Sequence, residues 1–179
     1  MYRSHDAAFG ALYFGSRATP GAWRFDAPSG EYGVLYAGAD PAAAFIETFG
    51  HETGARVPPF VTRTELERRH LSELHASRPM RLVDLRGPGL ARMGADGALA
   101  TGLDYGLTQR WSRALHAHPR RPDGLLFRAR HDPSRHAIAL FDDRVADALS
   151  SQSLGSLAAP KNVVLLGHLL DRYKFALLP

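Results

Sequence analysis

Four side chains of this 179-residue chain have types that do chemistry together: Arg3, Arg24, Tyr36 and Glu47. Two arginines can grip a pyrophosphate through paired N–H forks, a tyrosine can stack on a flat heteroaromatic ring, and a carboxylate can steady a ribosyl cation or orient a ribose hydroxyl. A dinucleotide such as NAD is the substrate type that suits all four. Taken singly, each has an ordinary explanation: arginines at strand edges are usually solvated, Tyr36 suits a core, and Glu47 suits a surface.

The elements that must position them can be read locally. Gly33 to Gly38 reads as a buried strand through Val34, Leu35 and Tyr36. A helix follows, with Asp40 as its N-cap and Pro41 at the first helical position, where a missing N–H costs nothing. Ala42, Phe45, Ile46 and Phe49 have the spacing of a core face, which puts Ala43, Ala44 and Glu47 roughly opposite. Two alanines beside one carboxylate leave room for a ligand to approach. An exposed glutamate on an alanine-rich helix is the competing reading.

Tyr2-Arg3 looks like the start of a first strand, and Ala22 to Gly33 like a loop with a short extended piece at Trp23 to Phe25. Further extended pieces are expected near Phe60 to Thr62, Leu71 to Leu74 and Met80 to Leu85, with a short helix near Glu65. Pro88 to Gly102 is glycine-rich and reads as a loop beside a site. From Asp104 to Pro119 the pattern predicts a helix whose face is Leu107, Trp111, Ala114 and Leu115. "DGLLFRAR" and "RHAIALF" read as strands around the turn "HDPS", and Lys161 to Pro179 as a terminal helix packed on the sheet. Strands and helices mix without regular βαβ alternation, so the expected class is α+β, one compact domain over residues 1–179 with a mixed central sheet.

Composition narrows the function classes. With 45% hydrophobic and 22% charged residues the chain reads as globular. It has no cysteine, which rules out disulfides and thiolate metal sites and fits a reducing compartment. The first seventeen residues make a poor signal peptide and no run is long enough to span a membrane, so a cytoplasmic protein is expected. The +4 charge is carried almost wholly by arginines spread along the chain, only Lys161 and Lys174 being lysines. That charge suits an anionic ligand or an acidic partner, and no basic helix or RNA-binding signature points to nucleic acid. Among nine histidines, the pairs His116/His118 and His131/His136 match no zinc-binding spacing, so no metal is expected. Ser112 and Ser134 have histidines nearby in sequence, with nothing to place them in a triad.

The blocks "YR" at Tyr2-Arg3, "WRF" at Trp23 to Phe25, "GVLYAGADPAAAFIE" ending at Glu47, "TQRW" at Thr108 to Trp111 and "DGLLFRAR…AIALF" together resemble the RES-domain toxins of type II toxin–antitoxin pairs. The most specific part is the strand tyrosine followed eleven residues later by the helix glutamate. The resemblance implies a fold similar to ADP-ribosyltransferases, NAD+ as substrate, and growth arrest as outcome. The reaction implied is either transfer of ADP-ribose to a protein or NAD+ glycohydrolase or phosphorylase activity. It implies a cognate antitoxin as partner, in a joint oligomer. Carried over by position, Arg3, Tyr36 and Glu47 are the catalytic residues, and Arg3, Arg24, Tyr36 and Thr108 the NAD-binding ones. One position departs: Ala129 stands where the family has the serine of its name, with Thr108 or Ser134 as stand-ins if the fold brings either close. A module that binds nucleotide or protein without turnover is the alternative, and an RNA-targeting toxin a more distant one.

Overall fold

In the computed structural model, which describes residues 1–52 and 58–179, the strands are β1 (Tyr2–Asp6), β2 (Val34–Gly38), β3 (Phe60–Thr62), β4 (Arg69–Ala76), β5 (Leu82–Asp84), β6 (Gly124–Arg128), β7 (His136–Phe141), β8 (Leu149–Ser156) and β9 (Ala176–Leu178). The helices are α1 (Pro41–Glu52), α2 (Arg63–Arg68), α3 (Pro88–Arg92), α4 (Ala98–Thr101), α5 (Tyr105–His116), α6 (Asp142–Val145) and α7 (Val163–Tyr173). Seven strands form one sheet in the order β5-β6-β7-β2-β1-β4-β8, and β3 pairs with β9 in a second, parallel pair. Only β5 and β6 run parallel within the large sheet; its other neighbours are antiparallel. The class is α+β with a mixed sheet.

The sheet is split at its centre. β1 makes five residue pairs with β4, and β2 five with β7, but β1 and β2 meet only at Tyr2↔Gly38. Beyond that pair the two strands diverge, and the loop of residues 7–33 folds into the opening. Three bonds stitch it there: the Val34 N–H donates to the Phe14 carbonyl at 2.7 Å, and Arg3 Nη1 donates to the carbonyls of Ala11 and Tyr13 at 3.0 and 2.6 Å.

Helix α1 begins as its sequence dictates, with Asp40 Oδ1 accepting from the Ala43 N–H at 2.8 Å. Phe45, Ile46 and Phe49 are buried, as the spacing predicts. Ala43 and Ala44 are buried too, contrary to an open face. The reason is Gly38, where a Cβ would stand 2.4 Å from the Ala44 nitrogen and 2.8 Å from the Ala43 Cβ. The helix backbone lies directly on β2, so the alanines are small to admit the strand.

Other expectations change as well. Trp23 to Phe25 is turn rather than extended backbone, and Pro88 to Gly102 is not an open loop, since α3 and α4 send Leu90, Leu99 and Ala100 into the core. The terminal segment is helical only to Tyr173. Lys174 adopts φ +53°, the chain leaves the helix, and Ala176–Leu178 becomes β9. β8 has no counterpart in the sequence reading because its exposed Ser and Gln residues carry no apolar alternation. On α5 the buried residues are Thr108, Gln109 and Ser112, whereas Leu107 is 42% exposed and Ala114 is exposed. Trp111 and Leu115 of the expected face do pack against the core, but Leu107 and Ala114 do not, because the helix also turns its polar Thr108, Gln109 and Ser112 inward.

Candidate active site

The split between β1 and β2 holds a cavity of about 570 Å³, within the ~300–1,000 Å³ typical of small-molecule sites. Arg3, Arg24, Tyr36 and Glu47 all line it, so four residues spread over 45 positions converge on one space. β1 supplies Arg3, β2 supplies Tyr36, α1 supplies Glu47, and the loop between β1 and β2 supplies Arg24. Thr108 does not line it.

Glu47 is half-buried, and its Oε1 accepts the Arg130 N–H at 2.7 Å. That donor belongs to the turn between β6 and β7, which is docked on the start of α1 by the Arg135–Asp40 ion pair at 2.9 Å. Gly50 lets the turn close, since a Cβ there would stand 3.0 Å from the His131 ring. Burial raises the Glu47 pKa, opposed by the Arg130 N–H bond and by the charge of Arg24. The outcome is a carboxylate held in one orientation in a partly desolvated wall.

Arg24 is buried, with Nη1 donating to the Gly102 carbonyl at 2.6 Å and its guanidinium over the Tyr105 ring at 5.0 Å. Desolvation lowers its pKa, with Arg130 lowering it further and Tyr105 and Glu47 opposing. Arg3 is the other fixed cation. Burial pulls its pKa down to about 10, leaving it charged at neutral pH, and its two carbonyl bonds make it a brace for the loop as well as a cavity wall.

Tyr36 lines the cavity and is tethered through its hydroxyl. Its hydroxyl donates to Asp26 Oδ1 at 3.0 Å and accepts the Phe25 N–H at 2.8 Å. Burial raises its pKa well above the usual value, and burial also raises that of Asp26 against the bonds from Trp23 and Tyr36. Asp26, Arg130, His131 and Trp23 line the cavity and escaped the sequence reading. Trp23 and Arg130 were visible inside the blocks "WRF" and "DGLLFRAR", while nothing local marks Asp26, whose partner Tyr36 is ten residues away.

Thr108 lies behind the wall: its buried hydroxyl sits 2.7 Å from the Arg24 carbonyl and 3.0 Å from that of Tyr105. It belongs to a row on α5 that holds the loop by its backbone. Gln109 Nε2 donates to the carbonyls of Gly21 and Trp23, both at 2.9 Å, and Ser112 Oγ donates to that of Phe25 at 2.6 Å. Every carbonyl from Trp23 to Phe25 is thus held by one helix. Ala129 is fully buried and pairs through its N–H with the Arg135 carbonyl, and Ser134 is exposed and bonded to Asp132. Neither stand-in for the family serine brings a hydroxyl to the cavity.

The histidine pairs disperse: His116 stacks on Tyr32 at 3.9 Å and meets Asp143 at 2.9 Å, His118 accepts the Arg120 N–H, His131 faces the cavity, and His136 meets Arg86. Among the described residues no three His, Asp or Glu side chains are grouped to hold a metal ion, and no helix is long and apolar enough to cross a membrane.

Known proteins share this architecture. The profile of the RES domain family matches residues 1–160. The probable toxin y4kH of Sinorhizobium fredii (strain NBRC 101917 / NGR234) is 33% identical over 93 residues, which span 52% of this chain and 72% of that protein. Among solved structures, a chain of the M. tuberculosis MbcT–MbcA toxin–antitoxin complex superposes with a TM-score of 0.60 over 95% of this chain and 87% of its own length. At 18% identity that is a likeness of fold.

Proposed function

The chain belongs to the RES domain family, and from that premise we propose that it is the toxin of a toxin–antitoxin pair, an enzyme that breaks the nicotinamide–ribose bond of NAD+. One observation carries the catalytic part. A partly desolvated carboxylate, Glu47, is fixed by a backbone N–H in the wall of a cavity that also holds the buried guanidinium of Arg24. The toxin reading draws on the probable toxin y4kH and on the fold shared with a chain of a toxin–antitoxin complex.

In this reading the pyrophosphate binds along Arg3 and Arg24, with Arg130 beside them. The ribosyl C–N bond breaks, its electron pair leaves with nicotinamide, and positive charge grows on the ribose. Glu47 meets that charge in an environment of low dielectric, where a preorganised carboxylate stabilises a transition state more than it does in water. The acceptor's oxygen or other nucleophile then bonds to the ribosyl carbon and gives up its proton. Tyr36, tied to Asp26, keeps the loop carrying Arg24 against β2. A cognate antitoxin blocks access to the cavity, and an acidic segment suits the chain's net positive charge.

Incubation with NAD labelled in its adenylate half tests this, with and without lysate. Nicotinamide release without lysate supports hydrolysis or phosphorolysis, and label on a lysate protein supports protein ADP-ribosylation. Neither signal from folded protein would sink the enzyme reading in favour of a binding module, which Ala129 at the family's serine position favours.

A further inference from the structure

Trp23 lines the cavity with 51% of its surface exposed. Its backbone is nevertheless held on both sides. The N–H donates to Asp26 Oδ2 at 2.8 Å and the carbonyl accepts from Gln109 Nε2 at 2.9 Å. The next two carbonyls are held by Thr108 and Ser112. A large apolar ring left open on a clamped backbone forgoes burial that would stabilise the fold, and it costs a ligand little conformational entropy to use. Rigid aromatic surfaces of this kind are what flat rings stack on.

The ring's position says which flat ring. Trp23 meets the His51 ring edge-on, with centroids 5.6 Å apart and planes at 72°. His51 follows Glu47 by one turn of α1, so the two side chains are neighbours on the helix surface. The indole is therefore next to the carboxylate's own neighbour. In NAD+ the nicotinamide ring is one bond from the ribose carbon at which that carboxylate acts, whereas adenine lies beyond the pyrophosphate.

We propose that Trp23 is the stacking face for the nicotinamide ring of NAD+. This rests on the NAD reading above and gives the stacking role to Trp23, which stands exposed in the cavity beside His51, with Tyr36 tying the loop that carries Arg24 to β2. A pyridinium cation over an indole face gains cation–π attraction in addition to stacking. As the glycosidic bond breaks, that positive charge passes from the ring to the ribose, and the attraction weakens. Trp23 therefore strengthens substrate binding more than it stabilises the transition state, and its removal raises KM more than it lowers kcat.

Calorimetric titration of the Glu47→Gln protein, in which the proposed reaction is slowed about a hundredfold or more, separates binding from turnover. Trp23→Ala in that background is expected to weaken NAD+ about tenfold, to leave ADP-ribose, which lacks the nicotinamide, unchanged, and to be largely rescued by Trp23→Phe. Equal weakening of both ligands, or none, overturns the stacking assignment while leaving the NAD reading in place. If the folded Glu47→Gln protein binds neither ligand, the NAD reading falls and the assignment falls with it.

Discussion

The Thr108 hydroxyl donates to the Arg24 carbonyl across 84 positions of sequence, at 2.7 Å and in a fully buried setting. It is a positioning contact: the hydroxyl meets the backbone of the arginine, and the guanidinium points on to Gly102 and Tyr105. Thr108→Val keeps the shape and removes the donor. The buried carbonyl left behind is expected to cost about 1–3 kcal/mol of stability, measured by urea denaturation. With Arg24 loosened, KM for NAD+ rises more than kcat falls, which steady-state nicotinamide release reads separately.

Tyr36→Phe separates the ring from the hydroxyl. The Phe25 N–H loses its acceptor and Asp26 loses a donor, in a site where burial already raises the Asp26 pKa. The expected destabilisation is about 1–3 kcal/mol, and Asp26→Asn is expected to cost a similar amount, because its single amide oxygen can accept from Tyr36 or from the Trp23 N–H but not from both. Equal melting temperatures for wild type and Tyr36→Phe would show that the Tyr36–Asp26 bond contributes nothing.

The unit from Gly33 to Phe49 was legible because its signals are local. Asp40 and Pro41 mark a helix start, and Phe45, Ile46 and Phe49 repeat at helical spacing, so Tyr36 and Glu47 follow as a pair on adjacent elements. Arg3 and Arg24 stand out by residue type and again by the motif resemblance, and with Tyr36 and Glu47 they converge on the cavity. What escaped depends on distant partners. Thr108, Gln109 and Ser112 look like a solvated face of α5 until carbonyls more than 80 residues earlier are placed against them. Ala43 and Ala44 look exposed until the bare Cα of Gly38 is seen beneath them. β8 is an edge strand of serines and glutamine whose order comes from its ladder with β4 rather than from apolar alternation.

Gly38→Ala tests that close approach. The added methyl would meet the backbone of Ala43 and Ala44, atoms that cannot rotate aside. Overpacking of this kind costs about 1–3 kcal/mol, and the only relief is to lift α1 from β2, which carries Glu47 away from Tyr36. Reduced stability together with a lower kcat is the expected outcome. A fully active, equally stable Gly38→Ala protein would mean that the helix does not rest on the strand this closely.

Glu47→Gln joins stability to chemistry with opposite signs. Gln keeps an acceptor for the Arg130 N–H but removes the charge, so the proposed reaction is expected to slow about a hundredfold or more, read as nicotinamide release. Because burial raises the Glu47 pKa, the folded protein holds its proton to higher pH than the unfolded chain does. Between the ordinary carboxyl value and the raised one, ionisation favours the unfolded state, and stability falls as pH rises through that window. Gln does not ionise. The variant is therefore expected to be at least as stable as wild type at pH 7, and its advantage should shrink on acidification, as paired urea denaturations at pH 4 and pH 7 will show. The wild-type rate should fall on the acid side at a pH above the usual glutamate range, since only the ionised carboxylate meets the ribosyl charge. An acid limb at the ordinary value would place the active carboxylate somewhere other than this desolvated wall.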